Sequence, residues 1–245
     1  MSAEKDYHYA GTELDAFSCA RLWKRYWWGQ IRPFVGCDIL EVGAGCGNNI
    51  EWFDRKPGVR YTGVEPDGKL AGVLKSRLDR TAFESSTVVT GFSGDLPSGN
   101  HFDTVVYLDV LEHIEDDQRE LKTALDLLQV GGHLIVLAPA YPWLYSAFDR
   151  SVGHCRRYDI PALRRVMPAG LVEVRVRHLD AMGLLASAAM KIGSRSGTAS
   201  RLGVTIWDRL LVPLSRCIDP LTGYGVGRSL LFIVRKEGRP GEELS

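Results

Sequence analysis

The chain has 245 residues, 45% of them hydrophobic, enough to bury one substantial core and within the range of a single α/β domain. Lys plus Arg and Asp plus Glu number 30 each, so no positive excess argues for a nucleic-acid target. Five scattered cysteines (Cys19, Cys37, Cys46, Cys155, Cys217) show no C-x-x-C spacing, which points to reduced thiols and away from disulfides or zinc. The start, MSAEKDYHYAG, has no apolar signal core, and no run of 18 apolar residues occurs. The expectation is a cytoplasmic protein with no transmembrane segment.

In chain order, residues 13–33 predict a helix rich in aromatics (Trp23, Tyr26, Trp27, Trp28) and closed by Pro33. DILEVGAG is a short apolar strand running into glycines, and NNIEWFDR predicts a helix that stops before Pro57. RYTGVEPD is a second strand, followed by a helix over 67–80; STVVTGF and FDTVVYLDVL are the third and fourth strands. EDDQRELKTALDLLQVGG predicts a helix ended by its paired glycines, and HLIVLAPA a fifth strand. Such alternation implies a parallel sheet with helices on both faces. Further on, LVEVRVRHL (171–179) alternates apolar and charged residues as an edge strand does, whereas SLLFIVRK (229–236) is apolar throughout, as a strand between neighbours would be. Two helical segments, 180–193 and 204–218, lie between them around the loop GSRSGTASRLG. An insertion of that size usually serves as a lid, a contact or a binding surface.

The loop GAGCG places Gly43, Gly45 and Gly47 at alternate positions after the first strand. In an open α/β sheet this turn faces the ligand crevice. A dinucleotide loop, G-x-G-x-x-G, would need its third glycine at position 48, where Asn48 stands. Glu65 ends the second strand, where a carboxylate can accept both hydroxyls of a ribose. Loop and acid together predict an adenosine-like ligand.

Taken in order, EVGAGCG at 41–47, VEPD at 64–67, FDTVVYLDVLEHI at 102–114 and GGHLIV at 131–136 resemble the successive motifs of class I S-adenosylmethionine-dependent methyltransferases. With LWKRYWW and GHCRRYD, the whole chain resembles bacterial small-molecule members of that family. The resemblance implies a Rossmann-like sheet of seven mostly parallel strands with an antiparallel last strand, helices on both faces and a helical insertion between the last two strands. It implies one methyltransferase domain in three parts: an N-terminal helical cap (1–36), a cofactor-binding core (37–140) and an acceptor-side part (141–245) with its insertion at 180–228.

It also implies S-adenosylmethionine as cofactor. Gly43 and Gly45 would lie against its methionine part and ribose, Glu41 would face its amino group through the loop, and Glu65 and Pro66 would meet the ribose. Leu108 and Asp109 would flank the methionine moiety. Where many relatives place an acid for the adenine amine, this chain has Phe92 and Ser93, with Asp95 nearby, so backbone groups and Phe92 are expected at the adenine.

Methyl transfer to a hydroxyl or acidic carbon needs a base, and histidine titrates near neutrality. His113 follows the fourth strand and His154 lies in the loop after the fifth; either is a candidate base. The spacing Asp109-x-x-Glu112-His113 is similar to the E-x-x-E-H of some quinone-biosynthesis and small-RNA methyltransferases that bind a divalent metal, with His154 as a possible fourth ligand. Because the first acid is Asp and acids at a helix start need no metal, no metal is assigned. Arg25, Arg156, Arg157 and Tyr158 are candidate contacts to an anionic acceptor, with the aromatics near Lys24 free to line an apolar one. Positions 207, 210, 211 and 214 form an i, i+3, i+4, i+7 stripe expected to be buried on the acceptor side as a lid or on a second subunit. The polar face (Asp208, Arg209, Arg216) lacks the Lys-rich bias of a membrane-surface helix. The expectation is a monomer or homodimer acting on a small molecule. A nicotinamide-dependent oxidoreductase and a non-methylating cofactor-binding protein or cyclase remain as alternatives.

Overall fold

The computed structural model describes residues 17–238, apart from 55–56, 98, 100 and 194–199. Residues 13–16 of the first expected helix therefore lie outside it, as does most of the loop within the insertion. Helix α1 (Arg21–Ile31) precedes β1 (Asp38–Val42), α2 (Ile50–Phe53), β2 (Arg60–Glu65), α3 (Gly68–Leu78), β3 (Ser85–Thr90) and β4 (Phe102–Leu108). Then come α4 (Asp117–Leu127), β5 (Leu128–Pro139), α5 (Ala147–Ser151), α6 (Ile160–Val166) and β6 (Leu171–Leu179). The insertion consists of α7 (Ala181–Gly193), α8 (Arg201–Ile206), a π-helical turn (Trp207–Leu211) and α9 (Val212–Leu221), and β7 (Ser229–Lys236) follows.

The strands form one sheet in the order β3-β2-β1-β4-β5-β7-β6. β1 to β5 pair in parallel, whereas β7 runs antiparallel to both β5 and β6. This is the Rossmann-like arrangement, and its strand order reverses between β1 and β4, where such sheets open a crevice. Successive residues point to opposite faces. Ile39, Tyr61, Val106, Ile135 and Leu231 join Trp23 and Trp27 of α1 in one core layer, and Leu40, Val64, Val105, Leu134 and Phe232 join Leu121 of α4 and Leu163 of α6 in the other. Both faces are thus covered, as the apolar runs require.

Three local expectations change. The helix expected to run through Gly131–Gly132 ends at Leu127, and the glycines lie inside β5, beside a register shift opposite Phe102 and Thr104. The 207–214 stripe does not share one face: Trp207 is buried and Leu211 partly so, whereas Leu210 and Leu214 are exposed. The π turn holds more residues per turn than an α-helix and so rotates Leu210 and Leu214 away from the core. Asp208, expected on the polar face, is buried and accepts the N–H groups of Leu22 and Trp23 at 3.2 and 2.8 Å.

Two further buried aspartates tie the insertion to the body. Asp219 accepts the N–H groups of Asp180 and Ala181 at 2.7 and 3.0 Å and the Tyr26 hydroxyl at 2.6 Å. Asp180 accepts from Gly183 N, Ser215 Oγ and Trp207 Nε1. Each acid sits at the start of a helix, where unpaired N–H groups favour negative charge. Asp219→Ala would strand three buried donors and is expected to cost about 3 kcal/mol or more of folding stability. Asp219→Asn, which keeps an acceptor, should cost clearly less. Urea denaturation of both variants checks this; equal, small losses would show that the contacts carry no stability.

Candidate functional site

A cavity of about 1040 Å³ opens at the carboxyl ends of β1, β2 and β4 and extends beneath the insertion. Gly43, Gly45, Glu65, Pro66, Phe92, Ser93, Leu108 and Asp109 all line it, as do His113 and His154. Gly43 has φ +67°, and a Cβ there would lie 2.6 Å from Val110. Gly45 has φ +57°, and its missing Cβ would project into open space, as a position that receives a ligand should. The Glu65 carboxylate accepts Gly45 N at 2.8 Å and Asp67 N at 2.9 Å, fixing the loop to the second strand. Burial raises its pKa, opposed by these two hydrogen bonds. Nearby, the Ser93 hydroxyl is buried with no hydrogen-bond partner among the described residues.

Asp109 follows β4 with φ +56° and presents its carboxylate to the cavity. Enclosure pushes its pKa up, against the pull of His154, Arg228 and Lys24. Beyond it, Glu112 is fully buried, with both carboxylate oxygens unpartnered among the described residues. Burial, and then repulsion from Asp109, pushes its pKa well above the usual carboxyl range. The His113 and His154 rings meet edge to face at 4.7 Å. Burial, followed by the charge of His154, pushes His113 down to about 4, so it is neutral at physiological pH.

His154 is oriented by a group the sequence did not single out. Asp149 is fully buried and lies 2.9 Å from His154 Nδ1. Ser146 N and Oγ donate to it at 2.8 Å each, and Arg157 Nε and Nη2 donate at 2.7 and 3.1 Å. Burial alone would raise Asp149, but the hydrogen bonds from His154 and Arg157 outweigh it and hold the carboxyl well below its ordinary value. The anion fixes the imidazole so that Nε2 points away from Asp149, 3.8 Å from Glu112 Oε1. One ligand atom each from Glu112, His113 and His154 can also lie within 4.8 Å of the others, close enough to share a cation.

Other expected site residues lie elsewhere. Glu41 is buried, accepting from Tyr61 OH at 2.5 Å and Asn49 Nδ2 at 2.8 Å, and is not on the cavity wall. Arg25 is exposed on α1 and Lys24, one residue before it, takes the inward place, donating to Asn48 O at 2.7 Å. Arg156 is bound to Asp117 and the Glu115 carbonyl, and the Tyr158 hydroxyl donates to Asp117 at 2.8 Å; neither reaches the cavity. Of the four candidate acceptor contacts only Arg157 lines the cavity, with its guanidinium engaged by Asp149. Arg228, missed in the sequence because it stands alone before β7, also lines the chamber, 4.4 Å over the Trp207 ring. The far wall is apolar: Trp23, Trp27, Leu144, Phe148, Val204 and Trp207.

Comparison with known proteins fits this geometry. Residues 40–134 match the family model described as a methyltransferase domain. The cofactor of this family is S-adenosylmethionine. The chain is 29% identical over 104 residues to a ubiquinone biosynthesis O-methyltransferase of Ruegeria pomeroyi, covering 42% of each chain. It is 27% identical over 134 residues to a ubiquinone/menaquinone biosynthesis C-methyltransferase of Idiomarina loihiensis, covering 53% of each. The chain thus matches about half or less of the length of these curated relatives. Among solved structures, an S-adenosylmethionine-dependent methyltransferase from Archaeoglobus fulgidus superposes with a TM-score of 0.62 at 18% identity, over 91% of this chain and 97% of that one. A [4+2]-cyclase, SpnF, superposes with a TM-score of 0.59 at 17% identity over 88% and 82%. At such identities the likeness is one of fold.

Glu41, within the matched residues, yields a prediction of its own. Burial lifts its carboxyl to about 7 against the hydrogen bonds from Tyr61 and Asn49. A carboxyl raised in the folded state contributes stability that is full below its unfolded value, near 4.5, and lost as pH rises through 7. The loss is on the order of 3 kcal/mol. Glu41→Gln should flatten the fall in stability between those pH values; an unchanged pH profile of thermal unfolding would refute the assignment.

Proposed function

We propose that the chain is an S-adenosylmethionine-dependent methyltransferase acting on a small molecule with an apolar body, with His154 as the base that accepts the acceptor's proton. The observation that carries this reading is the continuity of one cavity. The strand-end residues suited to the cofactor and the Asp149–His154 pair line the same space, and an aromatic chamber adjoins both.

In this reading Glu65 holds the ribose hydroxyls, Gly45 gives the cofactor room to approach, and Phe92 with the Ser93 hydroxyl meets the adenine. Leu108 and Asp109 flank the methionine end, with Lys24 near enough to balance the charge of Asp109. When bound, S-adenosylmethionine supplies a methyl group activated on a sulfonium. The chain's own work is to align an acceptor atom in line with that methyl and to exclude water, and orientation of this kind can contribute roughly 7–11 kcal/mol. His154 Nε2 takes the proton from an acceptor hydroxyl or acidic carbon, while Asp149 keeps Nδ1 protonated and the ring in place. Arg157 holds Asp149 and is a positioning residue; Arg228, whose Nε lies 3.5 Å from Asp180 Oδ2, also lines the chamber and is the better candidate for an anionic group on the acceptor.

Glu65→Ala should lose one or two charge-assisted hydrogen bonds to the cofactor, raising the S-adenosylmethionine Kd by roughly 30- to 150-fold. Titration calorimetry on a folded variant decides it, and an unchanged Kd would remove Glu65 from the cofactor site.

The activity is tested by screening acceptors for a methyl gain by intact mass, with S-adenosylhomocysteine measured in parallel. Bound S-adenosylmethionine that never yields S-adenosylhomocysteine would favour a non-methylating role such as that of the cyclase. With an acceptor in hand, His154→Asn is expected to lower kcat by about 10²- to 10⁴-fold with little change in cofactor affinity. Asp149→Asn should lower kcat less. The rate should survive exhaustive chelation; loss on chelation with recovery on adding Mg²⁺ would make Glu112, His113 and His154 a cation site instead.

A further inference from the structure

The outer face of the insertion is apolar where a water-facing helix should be polar. Leu202, Ile206, Leu210 and Leu214 recur at every fourth residue along α8, the π turn and α9, and all four are exposed, Leu202 at 70% and Leu210 at 60%. From Leu202 to Leu214 this ridge runs about 18 Å. Leu185 and Met190 of α7 are exposed beside it at 62% and 60%. Single exposed leucines need no explanation, but a continuous row does.

The exposed charges on α8, the π turn and α9 are of one sign. Residues 181–221 contain five basic residues (Lys191, Arg195, Arg201, Arg209, Arg216) and two acids (Asp208, Asp219). Both acids are buried as helix-capping acceptors, so they do not offset the surface charge, whereas Arg201, Arg209 and Arg216 are exposed. Arg201 and Arg209 immediately precede Leu202 and Leu210. Counting Asp208 on the exposed polar face, as the sequence suggests, hides this bias. A second copy across a two-fold axis would set these arginines against their own kind, a penalty an anionic surface turns into attraction.

The ridge also borders the cavity. Met190 and Ile206 are exposed and at the same time line it, so the chamber opens next to the apolar row. We infer that the outer face of α7–α9 docks on an anionic lipid bilayer, leucines into the acyl boundary and arginines at the phosphates, with the cavity mouth at the membrane surface. No helix among the described residues is long and apolar enough to cross a membrane, so the contact is peripheral. The geometry gives a lipid-dissolved acceptor a path into the chamber that avoids water; that part rests on the methyltransferase reading, whereas the docking does not.

The test is flotation of the full chain with phosphatidylcholine vesicles containing phosphatidylglycerol, against vesicles of phosphatidylcholine alone. Binding is expected to the anionic vesicles and to weaken in high salt. The double variant L202E/L210E touches neither cavity nor core and should lower the partition constant by roughly tenfold or more per leucine, with thermal stability and S-adenosylmethionine affinity unchanged. A chain that stays unbound to both vesicles, or a variant that floats as well as the parent, overturns the inference. So does self-association of the parent in sedimentation velocity that the variant abolishes without any vesicle binding, which would give the ridge to a second copy. Because flotation needs no turnover, failure of docking and failure of the methyl-transfer reading are separately visible.

Discussion

Three buried carboxylates hold the insertion to the body of this protein. Asp208 caps the start of α1, Asp180 caps α7, and Asp219 gathers the strand-to-helix corner at 180–181 and Tyr26 of α1. Each removes a charge from water, which is costly unless every lone pair finds a donor, and here the donors are mainly helix-start N–H groups. The arrangement fixes α1 and the insertion to one another, and so closes one side of the cavity with Trp23, Trp27 and Trp207. It also decides what the outside looks like, because acids spent on caps are absent from the surface.

The cavity divides along the same lines. Its strand-end part is built from strand termini and one glycine loop, positions set by the sheet register. Its other end is built from the segment after β5 and from the insertion, positions set by polar contacts. Asp149 is the hub there: five donors converge on one buried carboxylate, and His154 inherits its orientation from that convergence. A histidine in a loop would otherwise be free to turn.

Periodicity made the sheet legible. The alternation in LVEVRVRHL marked an edge strand and the unbroken SLLFIVRK a central one, because burial on one or two faces writes itself into every second residue. The glycine loop and Glu65 were legible as cavity-lining positions, where backbone geometry restricts residue type. Legibility failed where a side chain's partner lies far along the chain. Arg156 and Tyr158 are bound to Asp117, some forty residues away, and nothing local distinguishes them from Arg157, which faces the cavity. Lys24 and Arg25 differ only by the direction of one helical step. Glu41 sits in the motif yet turns to Tyr61 and Asn49, and the π turn shifts a stripe that an ideal helix would have kept in line.

The pairing of β6 with β7 carries a consequence for how such a chain changes over time. Leu179 and Ser229 are register partners, so the segment between them leaves and re-enters the sheet at a single point. Its length is therefore uncoupled from the strand order, and the entropy of closing a longer excursion grows only slowly. Drift in that segment can reshape what the chamber admits while the glycine loop and Glu65 stay where they are. Grafting a foreign excursion onto the same two anchor residues is the corresponding experiment in protein engineering, with the capping aspartates as the part that must travel with the graft.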